Sequence, residues 1–193
     1  MRIYLIRHGQ TTGDIEDRYG GDYEDHLTEE GKEQGKNLAN KLVDKNIEVV
    51  FCSPRIRAQE TAEFIKRKTG VLVEVVEDIR ERNHYGVMTG MVKAEAKLKY
   101  PILVELLKDT KKTVDGGEDY ETFKSRVVGA WNNLTSSDHK TIAILSHGGP
   151  IRLIFREILN KGEIKIGDCA YAVIDTDGEV LSIAETDGIE VQE

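Results

Sequence analysis

Apolar residues fall into short runs separated by amphipathic stretches. The first run, Ile3-Tyr4-Leu5-Ile6, stops at Arg7-His8-Gly9-Gln10-Thr11. Four consecutive apolar positions bounded by glycine predict a buried strand. After a polar, glycine-containing loop from Thr12 to His26, Thr28-Glu29-Glu30 opens a segment with Leu38, Leu42 and Val43 on one face. Thr28 is the expected N-cap and acids fill the first turn, so a helix should run to about Lys45. Val49-Val50-Phe51-Cys52 predicts a second strand. At Ser53-Pro54, serine as cap and proline at the first helical position predict a helix to about Lys68. Residues 71–76 read as a β-branched strand. Residues 77–92 are irregular and hold Arg80, Glu81, Arg82, His84 and Tyr85. Helices are expected over about 93–109 and 118–135, the second carrying Trp131. Thr141-Ile142-Ala143-Ile144-Leu145 predicts a buried strand that ends in Ser146-His147-Gly148-Gly149-Pro150, before a helix beginning near Ile151. Strands over 169–175 and 179–185 enclose Thr176-Asp177-Gly178, where Asp-Gly favours a tight primed turn.

This alternation predicts the α/β class: a single three-layer α/β/α domain over residues 1–193, with a mostly parallel mixed sheet, helices on both faces and a C-terminal β-hairpin. A chain of 193 residues is long enough for one substantial core. Its opening residues are too short for a signal peptide and no apolar run approaches membrane length, so a soluble, cytoplasmic protein without a membrane partner is expected. A net charge of −8 argues against a nucleic-acid surface. It leaves room for a small anion, because a local cluster of arginines outweighs the global field. Cys52 and Cys169 have no metal-site spacing and read as small buried hydrophobes.

Two apolar strands end in a histidine followed by glycine, and a third ends at Ser53-Pro54 just before Arg57. In a parallel sheet these ends lie on one side, so His8, His147, Arg7 and Arg57 converge. Gly9, Gly148 and Gly149 let backbone approach an anion. Guanidinium forks suit phosphate, and two of them with a protonated imidazole would wrap a transferring phosphoryl group. The other imidazole is then free to attack phosphorus, giving a phosphohistidine. A leaving alkoxide needs a proton, and Glu81 is the candidate acid.

With these residues in place, the chain resembles the histidine phosphatase superfamily, also called phosphoglycerate mutase-like. Arg-His-Gly-x-Thr matches Arg7 to Thr11, and Leu-Thr-x-x-Gly-x-x-Gln matches Leu27, Thr28, Gly31 and Gln34. Ser-Pro-x-x-Arg-Ala-x-x-Thr-Ala matches Ser53, Pro54, Arg57, Ala58, Thr61 and Ala62. Gly-Gly-Glu matches Gly116 to Glu118, and Ser-His-Gly-Gly-x-Ile-Arg matches Ser146 to Arg152. The resemblance implies that His8 is the phosphorylated nucleophile, that Arg7, Arg57 and His147 form the phosphate pocket, and that Glu81 is the proton donor. Thr11, Gly20, Gly21 and Gly148 are further candidate phosphate contacts. It implies a small phosphorylated substrate, no metal or organic cofactor, and a possible homodimer, for which the exposed edge of the terminal hairpin is available.

Within that family, Glu81-Arg82-Asn83-His84-Tyr85-Gly86 with Lys93 is similar to the mutase branch, and makes Arg82, Tyr85 and Lys93 candidate substrate contacts. Ser-His-Gly-Gly-Pro and the short chain, with only Lys111-Lys112 where mutases carry paired arginines, resemble the phosphatases. A phosphomonoesterase is therefore expected, with a phosphoglycerate mutase as the alternative. Asp14 stands where the family usually has asparagine, and a carboxylate beside phosphate requires a cation such as Arg18 or a proton. A metal-dependent hydrolase built on His8 and His147 is disfavoured by the neighbouring arginines. A silent binding module is disfavoured by the complete set His8, Arg7, Arg57 and Glu81.

Overall fold

In the computed structural model, which describes residues 1–192, strand alternation distributes the core between two faces of one sheet. The elements follow as β1 (Arg2–Arg7), the one-turn α1 (Thr12–Ile15), α2 (Glu29–Leu42), β2 (Val49–Cys52), α3 (Ile56–Thr69), β3 (Leu72–Val75), α4 (Lys93–Lys99), α5 (Pro101–Leu106), α6 (Tyr120–Thr135), β4 (Thr141–Ser146), α7 (Gly148–Leu153), β5 (Ile164–Thr176) and β6 (Leu181–Val191). Ile3, Leu5, Ile142 and Ile144 point to the side covered by α6 and α7, through Phe123, Val127, Trp131 and Ile151. Their sequence neighbours Tyr4, Ile6, Ala143 and Leu145 point to the side covered by α2 and α3, through Leu38, Leu42, Ala62 and Ile65. The predicted three-layer α/β/α arrangement follows from this period of two.

The six strands lie in the order β3-β2-β4-β1-β5-β6. β3, β2, β4 and β1 are parallel, while β5 and β6 join antiparallel. The register sets Arg7 opposite Ser146 and Cys52 opposite Leu145, so three strands terminate at one level. That edge carries the site.

Several local expectations are corrected. Thr28 caps α2 as expected, its Oγ1 accepting from Gly31 N at 2.9 Å. Ser53 does not cap α3, which starts at Ile56 after Arg55. The serine hydroxyl is bonded to His147, and Glu24 Oε2 instead accepts from Ile56 N at 2.9 Å. The single helix expected over 93–109 is broken into α4 and α5, since Pro101 has no N–H with which to continue the first. The polar loop holds the one-turn α1, and the helix expected near Ile151 starts already at Gly148. It then widens into a π-turn over Ile154–Ile158. The terminal strands are longer than expected and are joined by residues 177–180, not by a tight primed turn. Asp177 Oδ1 accepts from both Glu179 N and Val180 N and holds the wider loop. Cys52 is buried, but Cys169 is only half-buried, in a β5 bulge at φ +51°; desolvation pushes both thiols up to about 12.

Candidate active site

Because β1 and β4 run parallel and in register, His8 and His147 leave the sheet side by side, with ring centroids 5.0 Å apart and planes at 60°. His8 is buried, and its Nδ1 lies 2.8 Å from the Gly9 carbonyl. That contact places the proton on Nδ1 and leaves the Nε2 lone pair available. Burial, followed by the charges of Arg57 and Arg7, holds the imidazole well below the usual histidine range. It is a neutral nucleophile at neutral pH. Gly9 must be glycine: a Cβ there would stand 2.7 Å from Gly31 O, where the start of α2 packs against the strand end.

His147 is fully buried. Its Nε2 donates to Ser53 Oγ at 2.7 Å, while its Nδ1 accepts from Arg57 Nε at 3.2 Å. Burial and the same guanidinium push its pKa well below the ordinary value. The expectation of a protonated imidazole is therefore corrected. The nitrogen that would carry the second proton is occupied by an arginine N–H.

Arg57, the second residue of α3, is held from three more directions. Nη1 donates to Asp25 Oδ1 at 2.7 Å and Tyr23 O at 3.0 Å, and Nη2 donates to Gly21 O at 3.2 Å. Arg57 and Asp25 form an ion pair in which both side chains are buried. Arg7 has a different environment. Its Nη1 contacts Ile166 O and Asp168 Oδ1, each at 3.0 Å, and Nη2 is 3.7 Å from Asp14 Oδ1. Its Nε is buried without a partner, an unmet donor that an anion oxygen would satisfy. The β5 bulge, where pairing shifts between Ile166 and Tyr171, is what brings Asp168 to Arg7. Burial raises the Asp168 carboxyl, and Arg7 opposes that shift.

Glu81 reaches the same place from the irregular segment. Oε1 accepts from Arg82 N at 2.8 Å and Oε2 from Gly149 N at 3.1 Å, so the carboxyl group is fixed by two backbone donors. A Cβ at Gly149 would lie 2.1 Å from Oε1, which accounts for glycine at that position.

Two cavities meet here. An inner one of about 130 Å³ is lined by Arg7, His8, Thr11, Arg57, Glu81 and Gly148, with Asp14 and Arg18 at its side. An outer one of about 270 Å³ is lined by His84, Tyr85, Tyr120, Phe123 and Arg156 among others. Gly20, Gly21, Glu81 and Arg152 border both. The inner cavity is sized and charged for a tetrahedral anion. The outer one, partly aromatic, receives whatever that anion is attached to.

Of the predicted residues, His8, His147, Arg7, Arg57 and Glu81 are brought together, and Gly20, Gly21 and Gly148 line the inner cavity. Thr11 is also there, but its hydroxyl donates to Asp14 Oδ2 at 2.8 Å and accepts from Asp14 N, so it serves α1 as a capping box. Asp14 faces Arg7, not the expected Arg18, which bonds to Glu16 and to Gly90 O. Tyr85 lines the outer cavity, stacked against Tyr19 and His84. One candidate substrate contact, Lys93, is corrected, while another, Arg82, borders the outer cavity with its guanidinium already engaged. Arg82 is buried, with its guanidinium engaged by the carbonyls of Glu118, Thr110, Lys111 and Lys112 and by Thr113 Oγ1; it clasps the 110–118 loop. Lys93 Nζ pairs with Asp17 Oδ1 at 2.5 Å and lines neither cavity. Sequence reading missed Tyr23, Asp25, Asp168 and Arg152 as site residues. Only Arg152 had a local signal, being one helical turn past Gly148. Among the described residues, no three His, Cys, Asp or Glu side chains group as metal ligands.

Comparison with known proteins identifies the family. Residues 3–186 match the model of the histidine phosphatase superfamily (branch 1). Phosphoglycerate mutase-like protein 4 of Arabidopsis thaliana is 32% identical over 160 residues, covering 79% of this chain and 69% of that protein. A probable phosphatase of Schizosaccharomyces pombe is 32% identical over 158 residues, covering 80% of this chain and 71% of its own length. In fold, the chain is similar to YhfR of Bacillus stearothermophilus, with a TM-score of 0.88 at 22% identity, covering 97% of this chain and 96% of that one.

Proposed function

The chain belongs to branch 1 of the histidine phosphatase superfamily, and from that membership we propose that it is a phosphomonoester hydrolase acting on small phosphorylated metabolites through a phosphohistidine at His8. The observation that carries this reading is a neutral, buried His8 on a small cavity between two guanidiniums, with Glu81 at the opening to a second cavity.

The steps follow from the positions. The substrate phosphoryl group occupies the inner cavity, where Arg7 Nε and the remaining Nη2 hydrogen of Arg57 meet its oxygens. His8 Nε2 attacks phosphorus, forming the N–P bond as the P–O bond to the alcohol breaks. Glu81, as the carboxylic acid, gives its proton to the departing oxygen. The alcohol leaves through the outer cavity and water enters by the same path. Glu81, now a carboxylate, takes a proton from that water as it attacks phosphorus, and the N–P bond breaks to release phosphate and restore His8. His147 holds Arg57 in line through its Nδ1.

The test of the function is one assay with nitrophenyl phosphate and with 3-phosphoglycerate plus a trace of 2,3-bisphosphoglycerate, following free phosphate and 2-phosphoglycerate. Release of phosphate from the nitrophenyl ester without isomerisation is expected. Isomerisation far faster than hydrolysis would establish the mutase alternative. Undiminished turnover in excess chelator is the expected result for a site of imidazoles and guanidiniums. Cytoplasmic residence, an absence of nucleic-acid partners, and a homodimer formed along the exposed edge of β6 complete the proposal, the last checked by the mass in solution.

Glu81→Gln separates the acid role from simple binding. Turnover of an alkyl phosphate should fall by about 10²–10⁴-fold, while nitrophenyl phosphate, whose leaving group needs little protonation, should lose less than about tenfold. Equal losses for both would remove Glu81 from this role. Asp14→Asn keeps an acceptor for Thr11 but removes a negative charge from the edge of the anion cavity. Inhibition by inorganic phosphate should tighten by about five- to tenfold, measured competitively against nitrophenyl phosphate.

A further inference from the structure

Six arginines line the two joined cavities, and five already have partners. Arg7 pairs with Asp168 and Asp14, Arg18 with Glu16, Arg57 with Asp25, and Arg156 with Glu163 and Glu157, while Arg82 is engaged by loop carbonyls. The Arg152 guanidinium has no hydrogen bond and no ion pair with any described residue. It is half-buried and bent back over the first residue of its own helix, so close that a Cβ on Gly148 would lie 2.6 Å from its Nη1. A cation near a helix N-terminus meets the positive end of the helix dipole. Half-buried and unpaired, the Arg152 fork is free to take an anion from either cavity.

Its position indicates which anion. Arg152 borders both cavities, as Glu81 does, so it stands where the ester oxygen gives way to the alcohol part of the substrate. In the outer cavity the remaining charges are already balanced: Glu163 by Arg156, and Glu81 by two backbone N–H groups. Resting on the hydrolase reading above, we propose that Arg152 is a specificity-determining residue that selects phosphomonoesters whose alcohol carries a second anionic group, a carboxylate or a second phosphate, a few bonds from the ester oxygen. The planar fork grips either group through paired N–H donors, and a neutral alcohol leaves it unpaired.

Three-carbon esters isolate the effect: 3-phosphoglycerate, propane-1,3-diol bisphosphate, and glycerol 3-phosphate, in which a hydroxymethyl group replaces the carboxylate. The unmodified protein should favour one or both anionic esters over glycerol 3-phosphate by at least about tenfold in kcat/KM, and which of them leads identifies the anion. In Arg152→Gln that preference should collapse by about 10–100-fold. Glycerol 3-phosphate and nitrophenyl phosphate should lose at least about tenfold less kcat/KM than the anionic esters lose, and an unchanged denaturant midpoint reports an intact fold. Arg152→Lys should retain part of the preference. Equal losses on every ester would mean that Arg152 serves the transferring phosphoryl group, and would overturn the proposal. So would an unmodified protein with no preference for the anionic esters. Failure of the hydrolase reading is distinct: it appears as absent turnover of nitrophenyl phosphate before any substitution is made.

Discussion

His8→Ala lowers turnover by about 10⁴-fold or more and leaves no phosphorylated protein after substrate is mixed in and quenched in base. The size follows from the geometry. Among the described residues no other neutral nucleophile is free there: His147 is outside the inner cavity's lining with Nδ1 engaged by Arg57 and Nε2 by Ser53, and Thr11 gives its hydroxyl to Asp14. Water in the vacated space would still be held by Arg7 and Arg57, so the residual rate is that of binding and charge stabilisation alone. Stability should change little, because the lost imidazole makes one protein hydrogen bond, to Gly9 O. The depressed pKa adds a pH test. His8 stays unprotonated well below pH 6.5, so phosphoenzyme formation should persist below the pH at which an ordinary histidine is half charged. A loss of phosphoenzyme centred at 6.5 would contradict the desolvated environment. Substantial residual turnover by His8→Ala would remove the nucleophile assignment.

Arg57→Ala carries the second large effect, and it is double. Activity should fall by about 10³-fold, since one of the two guanidiniums on the phosphoryl group is gone and the acceptor at His147 Nδ1 loses its donor. Stability should fall by about 3–5 kcal/mol, because Asp25 is left buried and without its cation. For a chain of this size that is a fall in Tm of about 10 °C or more. Arg57→Ala with Asp25→Asn distinguishes the two losses. The neutral amide should recover much of the stability, read by denaturant midpoint, while kcat/KM stays at the single-variant level. Recovery of activity in the double variant would show that Arg57 acts by folding the site and not by contacting phosphate.

The histidines and arginine proposed to perform chemistry were legible because each sits where an apolar run ends. His8 follows Ile3–Ile6, His147 follows Ile142–Leu145, and Arg57 follows Val49–Cys52 by one helix start. Such runs report burial directly, and parallel strands in register bring their C-terminal ends to one edge whatever their separation in sequence. Glu81, which periodicity leaves in an irregular segment, came instead from the need to protonate a leaving alkoxide, and the family resemblance implied the same role. Of the substrate contacts proposed from that region, Tyr85 and Arg82 border the outer cavity and Lys93 does not. Arg82 turned inward to hold the 110–118 loop and Lys93 outward to Asp17, and nothing in a polar stretch distinguishes an inward guanidinium from an exposed one.

By itself, the sequence determined the α/β class, the two-faced core, the edge at which the site lies, and the imidazoles and guanidiniums that occupy it, because all of these follow from local periodicity. The tertiary structure decided the electrostatics. Asp25 reaches Arg57 through a loop with no apolar pattern, Asp168 reaches Arg7 through a bulge that breaks strand alternation, and Ser53 left its predicted cap to hold His147. These contacts made His147 neutral, balanced five of the six cavity arginines and left Arg152 unpaired. A carboxylate has no periodicity to disclose its partner; which charge it meets is set by the path of the backbone in three dimensions.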